Sequence, residues 1–249
     1  MVKICILIIY SKNDYYDRML EIQKKYLESH ENITFYFTQM IPDQEGEIEV
    51  DNHFINIRGE ESYLNILKKS VDSMKYINNN YEFDYLIRTN ISTVVNINKL
   101  CEFLENAPRE KYYGCCWYLT LNNLDHRCGI IDNTHFGTRY AQGTNIIFSK
   151  DIVQSICHNN DKLNNSVVDD VAFGVYVSRY FPEAYEISSK YIPTMLFTQS
   201  NDNITTDYIF YRNRRYENSP ERHTSEENRD NDIQTITYLT SILGFLIDE

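Results

Sequence analysis

The sequence predicts an α/β fold, a sheet covered by helices, in a single domain spanning residues 1–249. Three observations predict it. Over the first hundred residues, short β-branched runs alternate with stretches of helical spacing in the order β, α, β, α, β, α, the pattern of a mainly parallel sheet. A length of 249 residues supplies one large core that needs no disulfide or metal staple. No internal repeat and no Pro/Gly-rich linker divides the chain.

The run Ile4-Cys5-Ile6-Leu7-Ile8-Ile9 reads as a buried first strand, ending in the loop Ser11-Lys12-Asn13-Asp14. Residues 14–30 place Tyr16, Met19, Leu20, Ile22 and Tyr26 at three- and four-residue spacings, an amphipathic helix. A short strand follows at Ile33 to Phe37, then an acidic, turn-like stretch over 42–53. Tyr63 to Tyr76 reads as a second helix with Leu64, Leu67, Val71 and Met74 on one face. Phe83 to Arg88 is a strand running into Thr89-Asn90-Ile91-Ser92, and residues 96–105 resume helical spacing. Further on, Tyr112 to Leu121 and Ile146 to Ser149 read as strands around a polar loop. Val168 to Gly174 leads into an apolar run through Phe181. Tyr208 to Tyr216 interleaves three arginines with aromatics, residues 217–232 read as a mobile loop, and Ile233 to Leu246 as a closing helix. In such sheets ligands gather beyond the carboxyl ends of strands, here Tyr10 to Asp14 and Arg88 to Ser92.

Charge narrows the function classes. Lys plus Arg number 24 and Asp plus Glu 36, a net charge of −12. So acidic a surface repels polyphosphate and anionic membrane, which argues against a nucleic-acid or lipid-surface binder. A phosphate-bearing ligand therefore needs a local basic cluster or a metal ion. The six cysteines have no CxxC pair, which fits reduced thiols and not a zinc module. The first strand is too short to span a bilayer and has no cleavage-site pattern, so the expectation is a cytoplasmic chain without a transmembrane segment. Asn-X-Ser/Thr sequons at Asn32, Asn90, Asn164 and Asn203 then follow from an Asn-rich composition.

Four features carry candidate chemistry. The pair Asp169-Asp170 precedes an apolar run, where a carboxylate either acts as general base or caps the helix beginning near Val171; local chemistry alone favours the cap, and the two aspartates could divide the tasks. Arg88, Asn90 and Ser92 form either a polar turn or a ligand loop, with Arg88 as a phosphate contact. Gly143-Thr144-Asn145 marks a turn or a close backbone approach. Arg212, Arg214 and Arg215 are the densest positive charge in the chain, either a solvated face or a bidentate phosphate site with Tyr211 and Tyr216 beside it.

Four segments in order resemble motifs of GT-A-fold glycosyltransferases of the fringe and β-1,3-galactosyltransferase type. Tyr63-Leu64-Asn65-Ile66-Leu67-Lys68-Lys69-Ser70 is similar to that family's Y-x-N-L-x-x-K-T segment. Phe83 to Ser92 sits where the family has a strand entering its D-x-D motif. Tyr140-Ala141-Gln142-Gly143-Thr144-Asn145-Ile146-Ile147-Phe148-Ser149 resembles Y-x-x-G-x-G-Y-x-x-S, and Val168-Asp169-Asp170-Val171-Ala172-Phe173-Gly174 resembles E-D-V-x-x-G. An Asn-, Ile- and Tyr-rich composition is also similar to stand-alone glycosyltransferases of large DNA viruses, which would place the chain in a host cytoplasm.

The resemblance implies a GT-A, Rossmann-like mixed sheet and transfer of a sugar from a nucleotide-sugar donor, a UDP-sugar, to a hydroxyl of a glycan, protein or lipid acceptor. It implies Asp170 as general base of an inverting displacement, supported by Asp169. Donor contacts would come from Tyr10, Ser11, Asp14, Lys69, Arg88, Asn90, Ser92, Gly143, Thr144, Arg212, Arg214 and Arg215. The chain departs from the family at D-x-D: Asn90 and Ser92 replace the carboxylates that hold Mn²⁺ or Mg²⁺. Either other acids recruit the metal, or arginines take its place, or only binding is retained; the second is favoured because a leaving diphosphate needs positive charge. The alternatives are a catalytically inactive nucleotide-sugar- or glycan-binding domain and an unrelated nucleotidyltransferase.

Overall fold

The protein is described by a computed structural model over residues 2–188, 191–197, 203–214 and 226–244. In chain order the elements are β1 (Ile4–Ile9), α1 (Asp14–Glu28), β2 (Ile33–Ile41), β3 (Ile48–Asp51), β4 (Phe54–Arg58), α2 (Ile66–Asn80) and β5 (Tyr85–Asn90). There follow β6 (Thr93–Val95), α3 (Ile97–Glu105), β7 (Tyr113–Cys115), β8 (Tyr118–Thr120), β9 (Arg139–Ala141), β10 (Asn145–Ser149) and α4 (Lys150–His158). The described chain ends with α5 (Asp169–Tyr180), α6 (Ala184–Ile187), β11 (Thr194–Phe197), β12 (Phe210–Asn213) and α7 (Glu226–Gly244). These elements fall into two compact units, each assembled from three stretches of chain.

The first unit comprises residues 1–11, 34–90 and 106–192. Its seven-stranded sheet runs β3-β4-β2-β1-β5-β10-β7. β1 pairs parallel with β5, whereas β10 runs antiparallel between β5 and β7. The sheet is therefore mixed, the α/β architecture that the resemblance implies. β1 is buried along its whole length, which is why it reads as an unbroken apolar run. The core joins Leu7, Ile55, Leu86 and Phe148 of the sheet to Leu67 and Met74 of α2, Ile152 of α4 and Phe173 of α5. A separate two-stranded ribbon pairs β8 with β9.

The second unit comprises residues 12–33, 91–105 and 193–249. A three-stranded sheet, β11-β12-β6, lies with α1, α3 and α7 around Met19, Leu27, Val94, Leu100, Phe210 and Leu239, all buried. Asn13 caps α1 by accepting the Tyr16 N–H at 2.9 Å. Asp14, a predicted donor contact, is an exposed residue of the first turn of α1, where its charge complements the helix N-terminus.

Several elements differ from the sequence reading. The stretch over 42–53 holds β3 and is followed by β4. Glu49 and Asp51 on β3 are exposed, because an edge strand carries charges outward and so does not read as a strand. Tyr112 to Leu121 is two short strands in two different sheets. Residues 226–232 are helical, the first two turns of α7, where the charged composition suggested a loop. Buried polar residues explain this: Asn228, Arg229 and Asp232 face inward from α7, and Arg229 pairs with Asp232. The rest of the proposed loop, and Arg215, lie outside the described residues. All six cysteines are free. Among the described residues no helix is long and apolar enough to cross a membrane.

Helix α5 crosses β9 at Gly174. A Cβ on Gly174 would lie 2.2 Å from Tyr140 Cβ and 2.8 Å from the Arg139 carbonyl oxygen, neither of which can move cheaply. Gly174→Ala should therefore destabilise the protein by about 1–3 kcal/mol, measured by urea unfolding, although alanine is the better helix former.

Candidate functional site

Arg88 lies mid-strand on β5, opposite Leu7 of β1 and Ile146 of β10, and is 4% exposed. A guanidinium so placed must be paired or it would destabilise the fold by several kcal/mol (about 3–5 when a buried partner is lost). Asp169, the first residue of α5 and 1% exposed, supplies the charge. Arg88 Nε donates to Asp169 Oδ2 at 2.9 Å and Nη2 to Oδ1 at 3.0 Å, a bidentate pair. Ser70 of α2 donates its hydroxyl to the same Oδ2 at 2.8 Å. The third nitrogen, Nη1, donates to the Gly143 carbonyl, which also accepts Asn90 Nδ2 at 3.1 Å. Arg88 thus turns its guanidinium into the protein, and the expected phosphate contact is a tie between β5, α2, α5 and the turn before β10.

Asp170 follows directly and meets a different environment. Its Oδ2 accepts the Gly143 N–H at 3.1 Å and its Oδ1 the Val171 N–H at 2.8 Å. A Cβ on Gly143 would lie 3.0 Å from Asp170 Oδ2 and 3.3 Å from Arg88 Nη1, a tight fit in which either side chain would have to give by a few tenths of an ångström. Thr144 beside it is buried, with its carbonyl bonded by the Thr89 hydroxyl at 2.9 Å. Asp170 itself stays half-buried. Burial, then the neighbouring Asp169 charge, push its carboxyl from 3.8 up to about 6 against the pull of Arg88 and two backbone N–H groups. The two aspartates do not divide the base and cap tasks as the sequence allowed. Asp170 takes the helix-start N–H and keeps an open face, and Asp169 is sealed on Arg88.

Tyr10, Ser11 and Lys69 form a second group in the first unit. Lys69 on α2 is fully buried and donates to the Tyr10 carbonyl at 2.7 Å and to both Glu61 oxygens at 2.8 Å. Ser11 also bonds Glu61, at 3.1 Å, and Tyr10 sets its ring edge-on to Phe54. Burial lowers the Lys69 ammonium from its ordinary value, and Glu61 opposes the shift. This lysine fastens the end of β1 to the start of α2. Its partner Glu61 has no sequence signal, because a single surface acid preceding a helix is too common to single out.

In the second unit, Ser92 is buried and its hydroxyl accepts Arg212 Nη1. Arg212 stands on β12 opposite Thr93 of β6, which brings it over the start of that strand. Burial, then Arg214, then Arg229 pull the Arg212 guanidinium down to about 10, while Tyr16 and Asp232 oppose them. Arg229 of α7 lies over the Tyr16 ring at 5.3 Å and bonds Asp232 at 3.3 Å. Arg214 donates its backbone N–H to Phe197. The predicted Arg212 and Arg214 therefore share one electrostatic cluster with Arg229, a member recognisable only once α7 is known to extend back to Glu226.

The galactosyltransferase family profile matches residues 38–181, more than half of the chain, including Arg88, Gly143, Asp169 and Asp170. None of the curated proteins compared matches the chain. Solved structures similar to it include a glycosyltransferase involved in glycosylation of the major capsid of PBCV-1, with a TM-score of 0.48 at 13% identity over 93% of this chain and 99% of that one. Galactosyltransferase LgtC, in complex with donor and acceptor sugar analogs, gives 0.43 at 10% identity over 96% and 95%. Glycosyltransferase GlyE of Streptococcus pneumoniae TIGR4 gives 0.42 at 11%, covering 98% of this chain and 62% of that one.

Neutralising the two aspartates should act in opposite directions. Asp169→Asn strands the buried Arg88 and should destabilise by about 3–5 kcal/mol. Asp170 has a folded value above its ordinary one, so its contribution to stability is full below about pH 4 and lost as pH rises through about 6. Asp170→Asn should therefore melt higher than the parent at pH 8, and that advantage should disappear by pH 4. A lower melting temperature for Asp170→Asn at pH 8 would contradict this electrostatic account.

Proposed function

The chain belongs to the galactosyltransferase family, and from that premise we propose that it moves a sugar from a nucleotide-sugar donor, a UDP-sugar, to an acceptor hydroxyl with inversion at the anomeric carbon. The observation that carries this reading is the half-buried Asp170 carboxyl beside the sealed Arg88–Asp169 pair. With its proton affinity raised to about 6, the carboxylate is ionised at neutral pH yet basic enough to take a hydroxyl proton as that oxygen attacks. The acceptor oxygen forms its bond to the anomeric carbon, the bond from that carbon to the diphosphate breaks, and the proton goes to Asp170. Gly143 and Val171 hold the carboxylate through their N–H groups, which limits its reorganisation during transfer.

A divalent cation on the diphosphate does not fit these residues. Asn90 and Ser92 stand where carboxylates would hold it, Asn90 commits its amide to the Gly143 carbonyl, and the Ser92 hydroxyl already carries the Arg212 guanidinium. A cation beside a fixed guanidinium would be repelled. Among the described residues no group of three or more His, Cys, Asp or Glu could hold a metal. We assign the phosphate charge of the donor to the arginine cluster of the second unit, Arg212 and Arg214, whose mutual repulsion an anion would relieve.

Two outcomes test the reading. The logarithm of kcat/KM should rise with unit slope to a plateau above about pH 6, and Asp170→Ala should lower kcat about 10²–10⁴-fold. Wild-type turnover by Asp170→Ala would remove Asp170 as the base, whereas a parent protein that binds a donor but neither transfers nor hydrolyses it would leave a binding domain as the reading. Calorimetry should detect UDP binding of equal affinity in EDTA and in Mn²⁺, and Arg212→Ala should weaken it at least about tenfold, the effect of losing one charge-assisted bond.

A further inference from the structure

The ribbon of β8 and β9 leaves one strand edge open, and that edge carries no charge. Leu119 stands opposite Tyr140 in the ribbon. Two residues to either side, the Trp117 carbonyl accepts the Gln142 N–H at 3.3 Å and the Leu121 N–H donates to the Thr138 carbonyl at 2.9 Å. Alternate residues of β8 therefore turn their backbone groups to β9, and Tyr118 and Thr120 between them turn theirs to the other side. No further strand lies there, and those N–H and C=O groups find no partner among the described residues. Edge strands are ordinarily guarded by a lysine, a proline or an inward-pointing charge. Residues 112–124 contain none of these. Apolar exposure gathers at the same place. Of the twelve large hydrophobic side chains exposed among the described residues, four fall within residues 119–136: Leu119, Leu124 (53%), Ile131 (66%) and Phe136. The loop that carries them is tied down. Asp125 and Ile130 exchange two backbone hydrogen bonds at 2.9 Å, Asp132 Oδ1 accepts the Thr134 N–H at 2.9 Å, and Gly137 donates to the Leu121 carbonyl at 2.8 Å. Ordering apolar side chains in water costs entropy without the return that burial gives.

Charge selects what covers this edge. Residues 112–141 hold two aspartates, Asp125 and Asp132, and two arginines, Arg127 and Arg139, so the whole net charge of −12 lies elsewhere in the chain. Two copies repel one another at most approaches, and this neutral stretch is where they can meet. An antiparallel strand edge is also complementary to itself about a twofold axis. We propose that the protein is a homodimer in which β8 pairs antiparallel with β8 of a second copy. The outward backbone groups fix the register. Tyr118 pairs with the partner's Thr120, Thr120 pairs with the partner's Tyr118, and Leu119 meets the partner's Leu119 on the axis. Leu119 then loses its water, and two ribbons of two strands become one sheet of four, the more stable arrangement. β9 continues through Gln142 into the Gly143 turn that bonds Arg88 and Asp170, so the pairing braces that turn. The proposal does not depend on Asp170 being the base.

Sedimentation velocity of the full chain over about 1–100 μM should show a species of twice the chain mass that grows with concentration. Thr120→Pro removes an outward N–H and leaves the β8–β9 bonds intact, and Leu119→Lys sets two ammonium groups against each other on the axis. Each should weaken dimerisation at least about tenfold, while the dilute monomer keeps the circular dichroism and melting temperature of the parent. Leu119→Cys should form a disulfide-linked dimer under mild oxidation, because facing residues of this kind have Cα atoms about 4.5 Å apart, within disulfide reach. Val50→Cys, exposed on the edge strand β3, should cross-link no faster than the parent. A parent that stays monomeric at about 100 μM overturns the proposal. So does a dimer unaffected by Thr120→Pro and by Leu119→Lys, or one in which Leu119→Cys links no faster than Val50→Cys. An extended peptide that adds to this edge of a monomeric chain, and is lost with the same two substitutions, also overturns it, since the occupant is then another protein.

Discussion

One guanidinium set among two carboxylates governs the candidate site. Arg88 is buried in the middle of a sheet, and the fold can keep it there only with an equally buried counter-charge. Asp169 provides it, with two bonds from the guanidinium and a third from Ser70. Arg88 is bonded to Asp169, so it stabilises the Asp170 charge only from a distance, and the neighbouring Asp169 repels that charge. The raised proton affinity of Asp170 comes first from its burial and then from the Asp169 charge beside it. Adjacent aspartates with the same chemistry are made unlike by one arginine.

The same arginine explains why the sheet changes direction where it does. A strand entering parallel to β5 would bring its first residues to the opposite end from Arg88. β10 runs antiparallel, so the turn that precedes it, Gly143-Thr144, arrives at the carboxyl end of β5, where Asn90 and Arg88 both reach the Gly143 carbonyl. That carbonyl closes the third guanidinium nitrogen, and the Gly143 N–H closes Asp170. Reversal of β10, glycine at 143 and arginine at 88 therefore act together, and a side chain at 143 would crowd both Asp170 and Arg88.

The sheet strands and amphipathic helices were legible in the sequence where burial follows a simple period. β1 is apolar throughout, and α1 and α3 show their inner faces at three- and four-residue steps. β3 and the start of α7 were hidden for one reason: polar side chains occupy positions that pattern reading treats as loop. On β3 they face water from a sheet edge, and on α7 Arg229 and Asp232 are buried but neutralise each other. At the site, Asp169-Asp170 and Gly143 stood out as residue types. Their roles did not, because which aspartate faces inward depends on Arg88, eighty-one residues away. Lys69 was visible as a basic residue in a motif, but its burial on Glu61 was not, since pairing across a loop leaves no periodic trace.

The second unit shows the complementary electrostatics. An acidic chain gains stability by dispersing its few arginines among its many carboxylates, yet Arg212 is lowered to about 10, first by burial and then by Arg214 and Arg229 beside it. Asp232 offsets part of that repulsion and Tyr16 another part, and both also contact Arg229. Repulsion of this kind is retained against stability where function requires it, as strained and like-charged arrangements generally are at functional sites. The Ser92 hydroxyl adds a geometric reason. A carboxylate at that position would neutralise Arg212 outright and satisfy the cluster internally, whereas a hydroxyl orients the guanidinium and leaves its charge undiminished.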